Sequence, residues 1–250
     1  MRALLIAGVA LAALLAVGAL AFDRTRPPDE LLPDLRQLEP AAISVTEVGS
    51  GHRLVFLSAV ENVGESALVV EGRRSSREDE TMAVEQIVRR ADGSSSSLPV
   101  QAELRYVTSE THAHWHFLDF ERYELRRPVD GRLVAPDLKT GFCLGDRFDA
   151  SPRQVSNEPA RPVWTQECGR KSPGLLRVRE GISPGYGDDY VPTLEGQYIP
   201  LDGIPAGRYR LVHRVNPVRV LREADYSNNS ASVLLDLAWR DGEPTVTLVE

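Results

Sequence analysis

Past Ile43 the apolar residues of this chain alternate with polar ones and rarely recur at helical spacing, and this pattern restricts its fold most. Successive side chains on an extended strand point to opposite faces, so alternation marks strands with one buried face. Arg208-Tyr209-Arg210-Leu211-Val212-His213-Arg214-Val215 follows it, and Ser232 to Trp239 is similar. Leu54 to Val60 and Ala67 to Val70 read as buried strands, with Glu61 to Glu65 as the turn between them. Turn signals recur at Asp92-Gly93, Asp130-Gly131, Asp202-Gly203 and Asp241-Gly242. Short strands separated by such turns indicate an all-β chain, a β-sandwich with extended irregular loops. Asp149 to Pro162 reads as one of those loops, and Ser94 to Ser97 as a polar loop tip.

The first residues differ. Arg2 precedes an apolar run from Ala3 to Phe22 that ends near Ala19-Leu20-Ala21. A basic start, an apolar centre and small residues fit a secretory signal, while about 20 apolar residues also suffice for a helical membrane anchor. Residues 1–22 are therefore read as signal or anchor, with residues 3–22 the part that would enter a membrane. Both readings export the remainder: a polar, Pro-containing linker at 23–31 and one domain at 32–250. In an exported chain the two cysteines, Cys143 and Cys168, read as one disulfide. A net charge of -7 argues against nucleic acid as a partner and modestly favours cationic substrates.

Three of the five histidines fall in His112-Ala113-His114-Trp115-His116. On a strand, positions i, i+2 and i+4 share one face, so the three imidazoles point together and Ala113 and Trp115 point away. A histidine-only set suits copper or zinc. His213 falls on the apolar face of its strand and reads as a core residue; His52 reads as an exposed turn residue.

Four blocks, in order, resemble the catalytic domain of the lysyl oxidase family. The histidine run is followed by Asp119-Phe120-Glu121-Arg122-Tyr123-Glu124-Leu125. Lys139-Thr140-Gly141-Phe142-Cys143-Leu144-Gly145-Asp146 is similar to a family segment in which a lysine precedes a Phe-Cys-Leu run. Gly181-Ile182-Ser183-Pro184-Gly185-Tyr186-Gly187-Asp188-Asp189-Tyr190 and Gln197-Tyr198-Ile199 form the third block. Val215-Asn216-Pro217 and Glu223-Ala224-Asp225-Tyr226-Ser227-Asn228-Asn229 form the fourth.

The resemblance implies a copper-dependent amine oxidase. It would convert primary amines, as protein lysine or small amines, to aldehydes with O2, releasing H2O2 and ammonia. His112, His114 and His116 would be the copper ligands. Lys139 and Tyr190 would join as the lysine tyrosylquinone cofactor, with Asp188 as the preferred general base. Asp34, Glu223, Asp225, Asn228 and Asn229 resemble a structural calcium site; the residues alone read as an Asx-rich turn. Departures from the family pattern are the small number of cysteines, Glu180 where a glutamine is usual, and Tyr198 where a tryptophan is usual. The competing reading is an exported, non-enzymatic copper-binding β-sandwich.

Overall fold

A computed structural model describes residues 29–109, 112–150 and 155–249. The signal or anchor segment at 1–22 and most of the linker lie outside the described residues. Among the described residues no helix occurs, so none is long and apolar enough to cross a membrane. Among the described residues the strands form three antiparallel sheets. The first has seven strands, ordered Gly141–Phe142, Ala113–Leu118, Ser95–Thr108, Thr81–Arg90, Leu68–Arg73 and Arg177–Ile182, with Glu30–Leu31 added beside Thr81–Arg90. The second has five: Leu133–Pro136, Glu121–Arg126, Gly207–Val215, Ser230–Arg240 and Glu243–Val249. The third has six strands built on the long strand Gly51–Asn62, which pairs with Tyr186–Tyr190, Tyr198–Pro200, Leu35–Gln37 and Ala41–Val48, with Phe148–Asp149 added beside Tyr186–Tyr190.

Period-two burial places one continuous core between the sheets. Along Thr81–Arg90, Met82, Val84, Gln86 and Val88 are buried while their neighbours are not. Gln86 is tolerated inside because its amide bonds both backbone groups of Arg222, at 2.7 and 2.9 Å. Phe56, Trp115, Phe117, Phe120, Tyr123 and Phe142 are the large buried side chains of that core. Each such burial contributes about 1.5–3 kcal/mol.

Several local expectations are corrected. Glu61 and Asn62 belong to the strand and not to the turn, because both pair across it, Glu61 with Gly187 and Asn62 with Leu35. Ser95 to Ser97 are strand residues opposite Ile87 to Arg89. Gly93, at φ 85°, completes the reversal just before them. The last two linker residues, Glu30 and Leu31, are also a strand, with Glu30 buried against Arg222. His52 lies within a strand, its ring edge-on to Trp239 at 5.6 Å and flanked by Asp202 and Glu243. The core reading of His213 holds: the ring is fully buried between Phe56 and Tyr123.

Candidate metal and amine-oxidation site

His114 and His116 lie on the strand Ala113–Leu118, and His112 immediately precedes it. The three rings converge, with centroids 5.3, 5.3 and 4.6 Å apart. One ligand atom from each lies within 4.8 Å of the others, and His114 Nε2 faces His116 Nε2 at 2.7 Å. Among the described residues this is the one group of three or more His, Cys, Asp or Glu donors drawn so close. Trp115 points the other way, fully buried, with Arg74 over its ring at 4.7 Å. Burial keeps the imidazoles neutral, as metal ligation requires: it pulls His116 down to about 2 and His114 to about 4, and lowers His112. The His112 ring is oriented from outside by Ser109 Oγ and by Glu195, 3.4 Å from Nδ1. No pattern in the sequence singles out Glu195, because it sits on an irregular loop.

The strand Gly141–Phe142 pairs with the histidine strand, Gly141 opposite Leu118 and Phe142 opposite Phe117. It carries Lys139 to the histidines. A Cβ on Gly141 would stand 2.6 Å from His116 Cβ and 2.7 Å from its Nδ1, so only glycine admits this approach. Further along the same edge of the histidine strand, away from its partner Ser95–Thr108, backbone bonds run from Trp115 N to the Cys168 carbonyl (2.9 Å) and from Lys171 N to the Ala113 carbonyl (2.6 Å). The expected Cys143–Cys168 disulfide is formed and ties together the two segments that line this edge. Asp146 anchors the irregular loop nearby by accepting the backbone N–H groups of Val163, Trp164 and Ser183.

Tyr190 arrives from the third sheet, directly opposite Ser58. Its ring meets Phe142 edge-on at 5.0 Å. Lys139 Nζ lies 5.3 Å from the Tyr190 ring centroid and 5.1 Å from that of Phe142. Both residues are buried, which lowers the Lys139 ammonium and raises the Tyr190 phenol well above its usual value. Tyr190 donates its hydroxyl proton to Asp188 Oδ2 at 2.6 Å, and Gly145 N donates to the same oxygen at 3.2 Å. Burial pushes the Asp188 carboxyl up to about 8, against the pull of the Tyr190 bond and of Arg147. A cavity of about 220 Å³ is lined by the three histidines, Lys139, Asp188, Asp189 and Tyr190, with Arg147, Glu167 and Arg170 among its other walls. Two sheets, the first and the third, and the segments between strands therefore deliver the residues of one pocket.

The family model for lysyl oxidase matches residues 61–246, which include all of these residues. This chain belongs to the lysyl oxidase family. It is similar to protein-lysine 6-oxidase of Rattus norvegicus, 30% identical over 138 residues, or 55% of this chain and 30% of that protein. It is similar to lysyl oxidase homolog 1 of Homo sapiens, 28% identical over 139 residues, or 55% of this chain and 21% of that protein. Against protein-lysine 6-oxidase of Sus scrofa the identity is 30% over 138 residues, or 55% of this chain and 49% of that protein. The chain thus matches less than half the length of these relatives.

In this lysyl oxidase family member, His112, His114, His116, Lys139, Asp188 and Tyr190 are brought together. The acidic turn forms a second, separate cluster. Asn228 Nδ2 donates to Asp34 Oδ1 at 2.7 Å, and Asn216 and Asn229 donate to Glu223 Oε1 at 2.6 and 2.8 Å. Asp225 stands apart, exposed and accepting from Ser227 N and Oγ in an Asx turn. The side-chain oxygens of Asn228 and Asn229 are buried with no hydrogen-bond partner. Of the residues that depart from the family pattern, Tyr198 packs under Arg53 at 4.1 Å, and Glu180 is buried, accepting from Leu144 N at 3.1 Å. A buried residue that sequence reasoning left without a role is Glu121. Its signal was its parity: on one strand it shares the inward face with Tyr123 and Leu125.

Proposed function

We propose that this chain is an exported, copper-dependent amine oxidase that converts primary amines to aldehydes with O2, releasing H2O2 and ammonia. One observation carries the reading: Lys139 Nζ stands 5.3 Å from the Tyr190 ring in the same pocket as three converging neutral imidazoles. A scaffold or metal-storage protein needs the histidines but not this lysine and tyrosine. The donor set fits copper, since imidazole suits it and burial removes the competing protons. His112, His114 and His116 would hold the ion, and Lys139 and Tyr190 would become the lysine tyrosylquinone. Copper and the quinone together supply the oxidising power and the electron sink that ordinary side chains lack.

The chain's own residues position and move protons. Burial lowers the Lys139 ammonium and so favours the neutral amine, the state in which it can form a bond. Asp188 Oδ2, in the cavity wall and 2.6 Å from the Tyr190 hydroxyl, is placed to take the proton that the amine substrate loses from its α-carbon. Phe142 fixes the Tyr190 ring edge-on and shields it from water. The chain's net negative charge favours the approach of cationic amines, whether protein lysine or small amines. Export is supported by the disulfide, which persists in oxidising compartments. The apolar segment at 3–22 would direct that export as signal or anchor, ahead of a catalytic domain at 32–250. Asp34, Glu223, Asn228 and Asn229 would hold a structural calcium; burial, and after it the charge of Asp225, raises the Asp34 carboxyl.

The test is a phenylhydrazine titration of the copper-loaded protein beside Lys139→Ala and Tyr190→Phe. A coloured stoichiometric adduct in the unaltered chain alone supports the reading. Tight copper binding without an adduct sinks it and leaves the non-enzymatic copper-binding alternative.

A further inference from the structure

Arg147 stands in the wall of the cavity and has no part in the mechanism above. Its backbone is pinned beside the proposed base, with Arg147 N donating to the Gly187 carbonyl at 2.8 Å. Its side chain is 31% exposed, whereas that of Asp188 is buried, so the guanidinium opens to the cavity. Arg147 Nε faces Asp188 Oδ1 at 3.6 Å, beyond hydrogen-bond reach. Among the described residues the guanidinium donates to one acceptor, Cys143 Sγ, 3.6 Å from Nη2. Sulfur is a weak acceptor, so the donors of this fork are largely unspent.

Room is made for the guanidinium. A Cβ on Gly145 would stand 2.8 Å from Arg147 Cζ and 2.9 Å from Nη2. Gly145 does not have a left-handed backbone, so conformation does not call for glycine there. The other cations of the cavity wall are engaged. Arg170 Nη1 donates to both oxygens of Glu167, at 2.7 and 2.8 Å, and Lys139 is buried over Phe142 and Tyr190. Arg147 is the cation of this wall with strong donors left for an incoming molecule.

Its position makes that offer selective. Asp188 Oδ2 accepts from the Tyr190 hydroxyl while Oδ1 faces Arg147, so one carboxyl group separates the guanidinium from the ring that would react. An extended lysine side chain spans such a gap between its amine and its α-carboxylate. Burial also pushes the Asp188 carboxyl up to about 8, which leaves Arg147 without a full counter-charge at neutral pH.

We propose that Arg147 determines specificity by binding a carboxylate carried by the amine substrate, about a lysine side chain's length from the reacting nitrogen. The inference rests on the oxidase reading above and deepens it. A guanidinium meets a carboxylate through two parallel N–H···O bonds, which fix orientation as well as position. A lysine inside a protein chain has its carboxyl group in a peptide bond and offers Arg147 only a carbonyl oxygen. Free lysine, a C-terminal lysine and other amino acids with a terminal amine at that distance offer the anion.

The test compares Nα-acetyl-lysine with Nα-acetyl-lysine amide, which carry the same primary amine and differ only in the carboxylate. Binding is read by isothermal titration of the metal-free full chain, and turnover by peroxide release from the copper-loaded chain. The acid should bind about tenfold more tightly than the amide, or better, and exceed it by a similar factor in kcat/KM. Arg147→Gln should bring both ratios to about one, and Arg147→Lys should keep part of each. Any effect of the substitution on Asp188 is shared by the two compounds and cancels in the ratio. Equal binding and equal kcat/KM for acid and amide in the unaltered chain would overturn the proposal, whether or not Arg147→Gln folds. A preference that persists in folded Arg147→Gln would overturn it too, with the oxidase reading intact. A binding preference lost in Arg147→Gln, with no peroxide from either compound, would support the carboxylate site and overturn the oxidase reading instead.

Discussion

Tyr190 and Asp188 are two residues apart on one strand, share its inward face, and are joined by a 2.6 Å hydrogen bond from the tyrosine hydroxyl to Asp188 Oδ2. The bond places a carboxylate at the ring that the proposed chemistry modifies. Burial pushes that carboxylate up to about 8, and it accepts a proton only when ionised. Amine turnover, read as peroxide release, should therefore rise with pH through about 8. Asp188→Asn should lower turnover by about 10²–10⁴-fold and remove that limb of the profile. A full rate in Asp188→Asn would exclude it as the base.

Gly141→Ala probes the approach of the Lys139 segment to the histidine strand. The added methyl meets His116 at 2.6–2.7 Å, so the ring or the strand must shift. Copper affinity should fall by about tenfold or more, on the scale of losing a group that orients a ligand. Isothermal titration with copper reads this directly, and an unchanged affinity would show that His116 is not a ligand.

Replacing Cys143 and Cys168 by serine unties the two segments that line one edge of the histidine strand. The bond closes a loop with a sequence separation of 25, so its loss should cost about 3 kcal/mol in urea unfolding. Copper affinity should fall with it, because the Cys168 carbonyl accepts the Trp115 N–H between two of the histidines. Lower stability with unchanged copper binding would confine the disulfide to a scaffolding role.

The acidic turn gives a pH-dependent prediction. Burial raises the Glu223 carboxyl to about 7 in the folded chain, above its unfolded value. The folded state then holds a proton that the unfolded state has lost. This group's contribution to metal-free stability is full at low pH and is lost as pH rises toward 7. Calcium needs the ionised carboxylate, so it should raise Tm at pH 8 by about 5 °C or more when well above its Kd. It should do little at pH 5. Equal melting curves with calcium and with a chelator at pH 8 would remove calcium from the account.

Local pattern made several features legible. Period two in Arg208 to Val215 and in Leu54 to Val60 identified strands, because alternation is a property of consecutive residues. The i, i+2, i+4 histidines announced a shared face for the same reason. Local pattern misjudged Glu61, Asn62, Ser95 to Ser97, Glu30 and His52, because strand ends and edges are decided by what lies across the sheet. Lys139 and Tyr190 carry no periodic signal and were found only through resemblance. Tertiary structure alone decided that they meet at 5.3 Å, that Glu195 reaches His112, and that buried Glu121 accepts from Ser58. Side-chain direction follows from neighbours in the chain, whereas convergence of a pocket depends on how separate sheets and the segments between them close on one core.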